Sequence, residues 1–396
     1  MTHNSAHSSA ASSLVATLCL TTFASIGTSV VWNGLPFIAK QYYDFNESEN
    51  FSLFLLIGFL YIVCAFASGK LTVLVNKAYS SRTILAMLLV IQGTVCTLPL
   101  LFESSWVVWV AGGVAGGCSA WLWPLVESYL VAGRHGHSMR SAIGYWNTVW
   151  MVSVAIAMIA IAPLMESHAS MAIVGLGFAN LIAILPLYWF SSEPATHDET
   201  VAKEHVPIGY KSLLSGARIL LPLSYIFNGV LAPILPFVLS RINVDVLMQT
   251  PIAAIWMFAR VFIVGVMAYI PIWHGRWSAL WGGMIAMSSG LISIFAAPSL
   301  PILIVGLTLF GVGMGITYYA AIYYALAVGR AEVEAGGTHE ALIGTGYMIG
   351  PVIGLGSVQF GSENGSDTLF PLGISVFTLM AVGFICFVII CWRKDR

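Results

Sequence analysis

Apolar residues in this chain fall in twelve runs, at about 13–39, 51–69, 83–102, 106–132, 141–165, 170–190, 216–240, 248–273, 277–297, 301–328, 339–360 and 368–391. Each is near the ~20 residues that carry a helix across a hydrocarbon core. The polar breaks between them are mostly short, such as "ESS" (103–105) and "PSLP" (298–301), so neighbouring helices run antiparallel. One break is long: "SSEPATHDETVAKEHVPIGYKS", residues 191–212, rich in Glu, Asp, Lys and Pro. The pattern predicts an all-α integral membrane protein with six-helix bundles at 13–190 and 216–391. A linker at 191–215 joins them, and tails at 1–12 and 392–396 flank them.

Composition agrees with that reading. Of 396 residues, 58% are hydrophobic and 8% charged, with a mean hydropathy of +0.88. A soluble domain carries about 25% charged residues. The net charge of −1 gives no basis for nucleic-acid binding. The six cysteines all lie in apolar runs without a CxxC pair, which reads as small hydrophobes in packed helices. The first dozen residues lack the basic region of a signal peptide. Two N-x-S sequons, at Asn46 and Asn364, read as chance.

Thirteen Lys and Arg residues fall on the side of the termini, and two, Lys40 and Arg241, on the other. By the positive-inside rule, both termini and the linker are cytoplasmic. The expected location is a bacterial inner membrane, and the expected state a monomer.

The two halves repeat. "GLPFIAK" (34–40) matches "ILPFVLSR" (234–241), "YLVAGR" (129–134) matches "ALAVGR" (325–330), and "IGYW" (143–146) matches "TGYM" (345–348). These matches keep their order at offsets of 196 to 202 residues. Parallel six-helix repeats of this kind are a transporter signature, with the site between halves near mid-membrane.

Over nearly its whole length the chain resembles the major facilitator superfamily, through its 6+6 helices, cytoplasmic termini and charged central loop. The family's loop after helix two reads like G-x-L-a-D-R-x-G-R. Here "GKLTVLVNK" (69–77) keeps Gly69 and Leu71 but has Val73 for the aspartate and Asn76 for the second glycine. The second half's "AYIPIWHGR" (268–276) keeps Gly275 and Arg276, with Ile272 in the acidic position. The family's charged latch relies on that acid, and both acids are missing. The antiporter run G-x-x-x-G-P-x-x-G is absent from helix five, while "GYMIGPVIGLG" (346–356) sits in helix eleven. The resemblance implies alternating access around a central site, with the Leu-Pro-Phe repeats near the outer gate.

Two charged side chains stand out inside apolar runs, Arg260 in helix eight and Glu127 in helix four. Arg260 is about 12 residues, or roughly 18 Å of helix rise, from either end of its run, too far to snorkel comfortably. Trp256 lies one turn earlier on the same face, in reach of a cation–π contact. Either Arg260 lines a transport path or it holds a neighbouring helix. Glu127 is a proton carrier on one reading and a gate residue paired with a cytoplasmic arginine such as Arg140 on the other. A Glu127–Arg260 pair across the cavity is a third arrangement.

The helices that line the cavity in the resembled family carry a polar and aromatic set. It comprises Thr28, Trp32 and Asn33; Trp146, Asn147 and Trp150; Tyr225 and Asn228; and Tyr318, Tyr319, Tyr323 and Tyr324. Aromatic faces and amides suit a polar organic solute, and buried amides need partners. For each aromatic the competing role is core packing or an interfacial belt. "GGVAGG" (112–117) and "GVGMG" (311–315) carry small-xxx-small spacing, the mark of close helix packing. All nine histidines fall in tails, loops or helix ends, so no metal spacing, acid/base dyad or nucleophile lies in the membrane and no cofactor is expected.

The expected function is secondary active transport of a small polar organic solute with an anionic group, coupled to protons in one variant through Glu127. The alternatives are efflux of amphipathic compounds or lipids and, from another class, a membrane-embedded enzyme or sensor.

Overall fold

The computed structural model describes residues 13–134, 136–195, 209–328, 333–365 and 367–392. Both tails, most of the linker, and the side chains of His135, His137 and Arg140 lie outside the described residues. The twelve expected crossings are all present as helices. The first six are α1 (Leu14–Tyr43), α2 (Glu47–Val75), α3 (Ser81–Leu100), α4 (Trp106–Val131), α5 (Ser141–Leu164) and α6 (Ser170–Trp189). The second six are α7 (Tyr210–Arg241), α8 (Val246–Tyr269), α9 (Trp277–Phe295), α10 (Leu300–Ala325), α11 (Glu340–Asn364) and α12 (Leu369–Ile390).

Local chemistry sets the ends. Asn46 caps α2 with its side chain on the Glu49 N–H, and Glu49 returns a bond to the Asn46 N–H. That reciprocal pair satisfies two donors a helix start leaves free. Helix α7 begins at Tyr210, several residues before the apolar run at 216, behind Gly209 at φ +90°. Polarity in "YKSLLS" therefore hid two turns of helix.

The halves share one packing plan. In the first, α1 packs on α5 and α6, α4 packs on α2 and α3, and α3 packs on α6. In the second, α7 packs on α11 and α12, α10 packs on α8 and α9, and α9 packs on α12. Each pairing recurs six helices later. The seams between halves obey the same symmetry, with α2 against α11 and α5 against α8. Gly350 shows how close such packing runs, since a Cβ there would lie 2.6 Å from the Ile226 carbonyl oxygen on α7.

Helix α1 is interrupted at its centre. Val30–Gly34 forms a π-helical turn between α-helical stretches at Leu14–Ser29 and Leu35–Tyr43. Such a bulge shifts the register of the side chains it carries and is frequent at functional sites. It carries Trp32 and Asn33.

Candidate functional site

A central cavity of about 450 Å³, counting the space at its mouth, lies between the halves. Thr28, Trp32 and Asn33 come from α1, Trp150 and Met151 from α5, Tyr225 and Asn228 from α7, Trp256 and Arg260 from α8, and Tyr347 from α11. A narrow hollow continues past Asn33, Asn228 and Trp256 toward Phe37 and Leu235.

Arg260 is 4% exposed. Its Nη2 donates to the Tyr225 hydroxyl at 3.2 Å. The guanidinium carbon lies 4.3 Å from the ring centre of Tyr318, 5.0 Å from Trp150 and 5.9 Å from Tyr225. Among the described residues no acid pairs with it, and its Nε has no hydrogen-bond partner. Burying a cation costs several kcal/mol unless it is compensated (about 2.5 or more for Arg at mid-bilayer). Three aromatic faces and one hydroxyl compensate part of this, leaving a positive charge at the cavity wall.

The sequence spacing placed Trp256 against Arg260, and here the structure corrects it. The Trp256 ring turns to Phe310 on α10, edge to face at 5.8 Å, and the guanidinium turns away toward Tyr225 and Tyr318. Trp256 still lines both hollows.

Asn147 is fully buried and serves as a junction. Its Oδ1 accepts from Trp150 Nε1 at 3.1 Å and from the Tyr318 hydroxyl at 3.0 Å, and its Nδ2 donates to the Ile143 carbonyl. It thereby orients two of the rings that face Arg260. Asn228 donates to the Tyr347 hydroxyl at 3.4 Å, and Asn33 stays partly exposed to the cavity.

Tyr319 and Tyr323 share a face as their spacing requires, but that face is turned from the cavity. Tyr319 packs on Trp273, and Tyr323 stacks on His274 with ring centres 4.3 Å apart. The ring of this helix that meets Arg260 and Trp150 is their neighbour Tyr318. Tyr324 closes the same aromatic cluster by accepting the Gly275 N–H at 3.2 Å.

Glu127 is half-buried on α4 and makes no hydrogen bond or ion pair among the described residues. Glu340 on α11 is the carboxylate that acts on it electrostatically. The described residues contain no Glu127–Arg260 pair.

Two further charges lie within the membrane-spanning helices, besides Arg260 and Glu127. Glu340, 8% exposed, accepts a hydrogen bond from the Tyr61 hydroxyl across the α2–α11 seam. It stands at the edge of its apolar run and opens the α11 crossing, but the helix itself extends about two turns further back, to Val333. Lys40 lies within α1 and donates to the Pro236 carbonyl oxygen at 2.9 Å and to Ser240 Oγ. Asn50 adds bonds to the carbonyls of Pro36 (3.1 Å) and Pro233 (3.3 Å). These contacts close the cavity on the face opposite the termini, at the two Leu-Pro-Phe repeats.

A model of the Major Facilitator Superfamily matches residues 17–355. No curated protein sequence matches the chain. Among solved structures, the fold is similar to that of the nucleoside transporter NupG, at a TM-score of 0.71 and 12% identity over 96% of this chain and 100% of that one. A bacterial homolog of the human lysosomal transporter Spinster superimposes at 0.65 with 16% identity, covering 95% and 94% of the two chains. The human organic anion transporter MFSD10 (TETRAN) does so at 0.62 with 14% identity, covering 95% and 98%. Identities this low carry the fold and leave each relative's solute with the relative.

Proposed function

Because the chain belongs to the major facilitator superfamily and is an integral membrane transporter rather than an enzyme, we propose that it moves a small organic solute bearing an anionic group by alternating access. The observation that carries this reading is Arg260, a buried cation on the cavity wall without an acidic partner among the described residues. A guanidinium holds its charge in essentially any protein setting, and its planar fork matches carboxylate and phosphate oxygens. Binding at Arg260 supplies the counter-charge that Tyr225, Tyr318 and Trp150 do not. Trp32, Asn33, Trp150, Asn228 and Trp256 form the rest of the contact surface, and Asn147 positions Trp150. A solute-transporting organic anion carrier among the structural neighbours is compatible with this reading.

Glu127 and Glu340, one from each half, are the carboxyls through which protons would be coupled as symport. The protein works as a monomer in a bacterial inner membrane, with both termini cytoplasmic. The test is flux into proteoliposomes across anionic, neutral and cationic solutes, with and without a pH gradient. Anionic solutes are expected to be taken up, and Arg260→Ala to lose that uptake by about tenfold or more. Uptake and affinity unchanged in Arg260→Ala would remove the arginine from solute binding.

A further inference from the structure

Trp32 and Tyr347 meet face to face within the cavity, with ring centres 3.9 Å apart and planes 21° apart. One ring sits on the π-helical turn of α1 and the other on α11, so the stack joins the two halves. The rings around it stand differently. Tyr61 meets Trp32 at 82° and Tyr225 meets Tyr347 at 74°, both edge to face. The stack of Trp32 on Tyr347 is the face-to-face contact of this group, and the edge-to-face neighbours hold the two rings in orientation.

That arrangement has a consequence for alternating access. When the bundles rock apart, α1 separates from α11 and two buried π-faces lose their partner. An aliphatic solute would cover them with poorer geometry. A flat ring about 3.5–4 Å from each face replaces one stacked contact with two. The charge lies close by. Tyr225 packs edge-on against Tyr347 at 5.2 Å and accepts from Arg260 through its hydroxyl at 3.2 Å. Arg260 is therefore one phenol ring away from the stack. Asn228 holds the Tyr347 hydroxyl at 3.4 Å.

We propose that the solute is a planar, ring-bearing anion whose ring inserts between Trp32 and Tyr347 while its anionic group, on or near the ring, meets Arg260. This rests on the reading of Arg260 as the solute's counter-charge.

The test uses the purified full-length chain and two probes of equal charge and similar size. Naphthalene-2-carboxylate is flat, and decahydronaphthalene-2-carboxylate is its saturated, puckered counterpart and the more hydrophobic of the two. Binding followed by calorimetry is expected to favour the flat probe by about tenfold, from two stacked contacts. That preference is expected to persist in Trp32→Phe and to collapse in Tyr347→Leu and in Trp32→Leu, which removes the other face. Monodispersity and helical content of each variant separate lost binding from lost folding. Equal affinity for both probes, still weakened by Arg260→Ala, overturns the planar ring and leaves the anion site standing. Binding of the flat probe that ignores Arg260→Ala overturns the anion reading, and binding of neither probe overturns both.

Discussion

The ammonium of Lys40 on α1 reaches the backbone carbonyl of Pro236 on α7, 2.9 Å away, and lies 4.9 Å from the ring centre of Phe237. A cation of one half is thus seated on the Leu-Pro-Phe repeat of the other. Ser240 accepts a second bond from the same ammonium. With Asn50 on the carbonyls of Pro36 and Pro233, this is the closure on the face opposite the termini.

Hydrogen bonds from a charged donor are worth about 1.5–3 kcal/mol each, so losing them shifts a closed-to-open balance by about tenfold or more. Lys40→Ala is therefore expected to open this face more often. A cysteine placed at Ala253, on the wall of the narrow hollow, reports it through its reaction with a membrane-impermeant thiol reagent. Labelling from this face should rise by about that factor in the Lys40→Ala background. An unchanged rate would mean that the helices alone hold the closure.

Glu127 and Glu340 give a prediction about coupling that is separate from binding. If a proton travels on these carboxyls, Glu127→Gln keeps solute exchange at equal concentrations and loses accumulation driven by a pH gradient. Glu340→Gln behaves in the same way, with an added change in the α2–α11 seam because the Tyr61 hydroxyl loses its acceptor. Gradient-driven accumulation at wild-type level in both variants would exclude proton coupling through this pair.

The fold was legible in the chain because each crossing is continuously apolar and each half repeats the other's landmarks. The sequence also marks Arg260, Trp32, Asn33, Trp150, Asn228 and Trp256, and all six line the central cavity. What sequence did not carry was direction and register. Tyr319 and Tyr323 have the same composition and spacing as a cavity stripe, and only the rotation of α10 decides that Tyr318 meets Arg260 instead. Glu340 sat at the edge of an apolar run because the residues preceding it in the helix, "VEAGGTH", read as a polar loop. Tyr347 belongs to the repeat landmark "TGYM", but nothing in that landmark points to the cavity, since its ring partner lies more than three hundred positions away.

Close packing of α8 on α10 sets the position of Arg260, and Gly311 sets that packing. A Cβ at 311 would overlap the carbonyl oxygen of Trp256, a backbone atom that cannot rotate aside. Gly311→Ala is expected to push α8 outward and destabilise the protein by about 1–3 kcal/mol, the usual cost of overpacking. Thermal unfolding in detergent measures the loss. Gly265→Ala on α8, where nothing lies within 4 Å of an added Cβ, is the control expected to hold or slightly raise the midpoint. Equal midpoints for Gly311→Ala and the parent would show that α8 yields without cost.

The last prediction concerns the turn between α8 and α9, where the family's acid is replaced by Ile272. The structure holds this turn with rings. Trp273 Nε1 donates to the Met267 carbonyl at 2.8 Å, and His274 stacks on Tyr323 with Nδ1 3.2 Å from its hydroxyl. Tyr210, at the start of α7, adds its own hydroxyl 3.3 Å from that of Tyr323. Partial burial among these groups holds the His274 imidazole below its ordinary pKa of 6.5. A depressed histidine favours folding in its neutral form, so its contribution is present above pH 6.5 and is lost as pH falls through the lowered folded value. The expected outcome is a midpoint of thermal unfolding that drops between pH 7.5 and pH 5, with a smaller drop in His274→Gln, whose side chain does not titrate. If both proteins lose the same amount, the acid sensitivity arises elsewhere and His274 packs there as a ring alone.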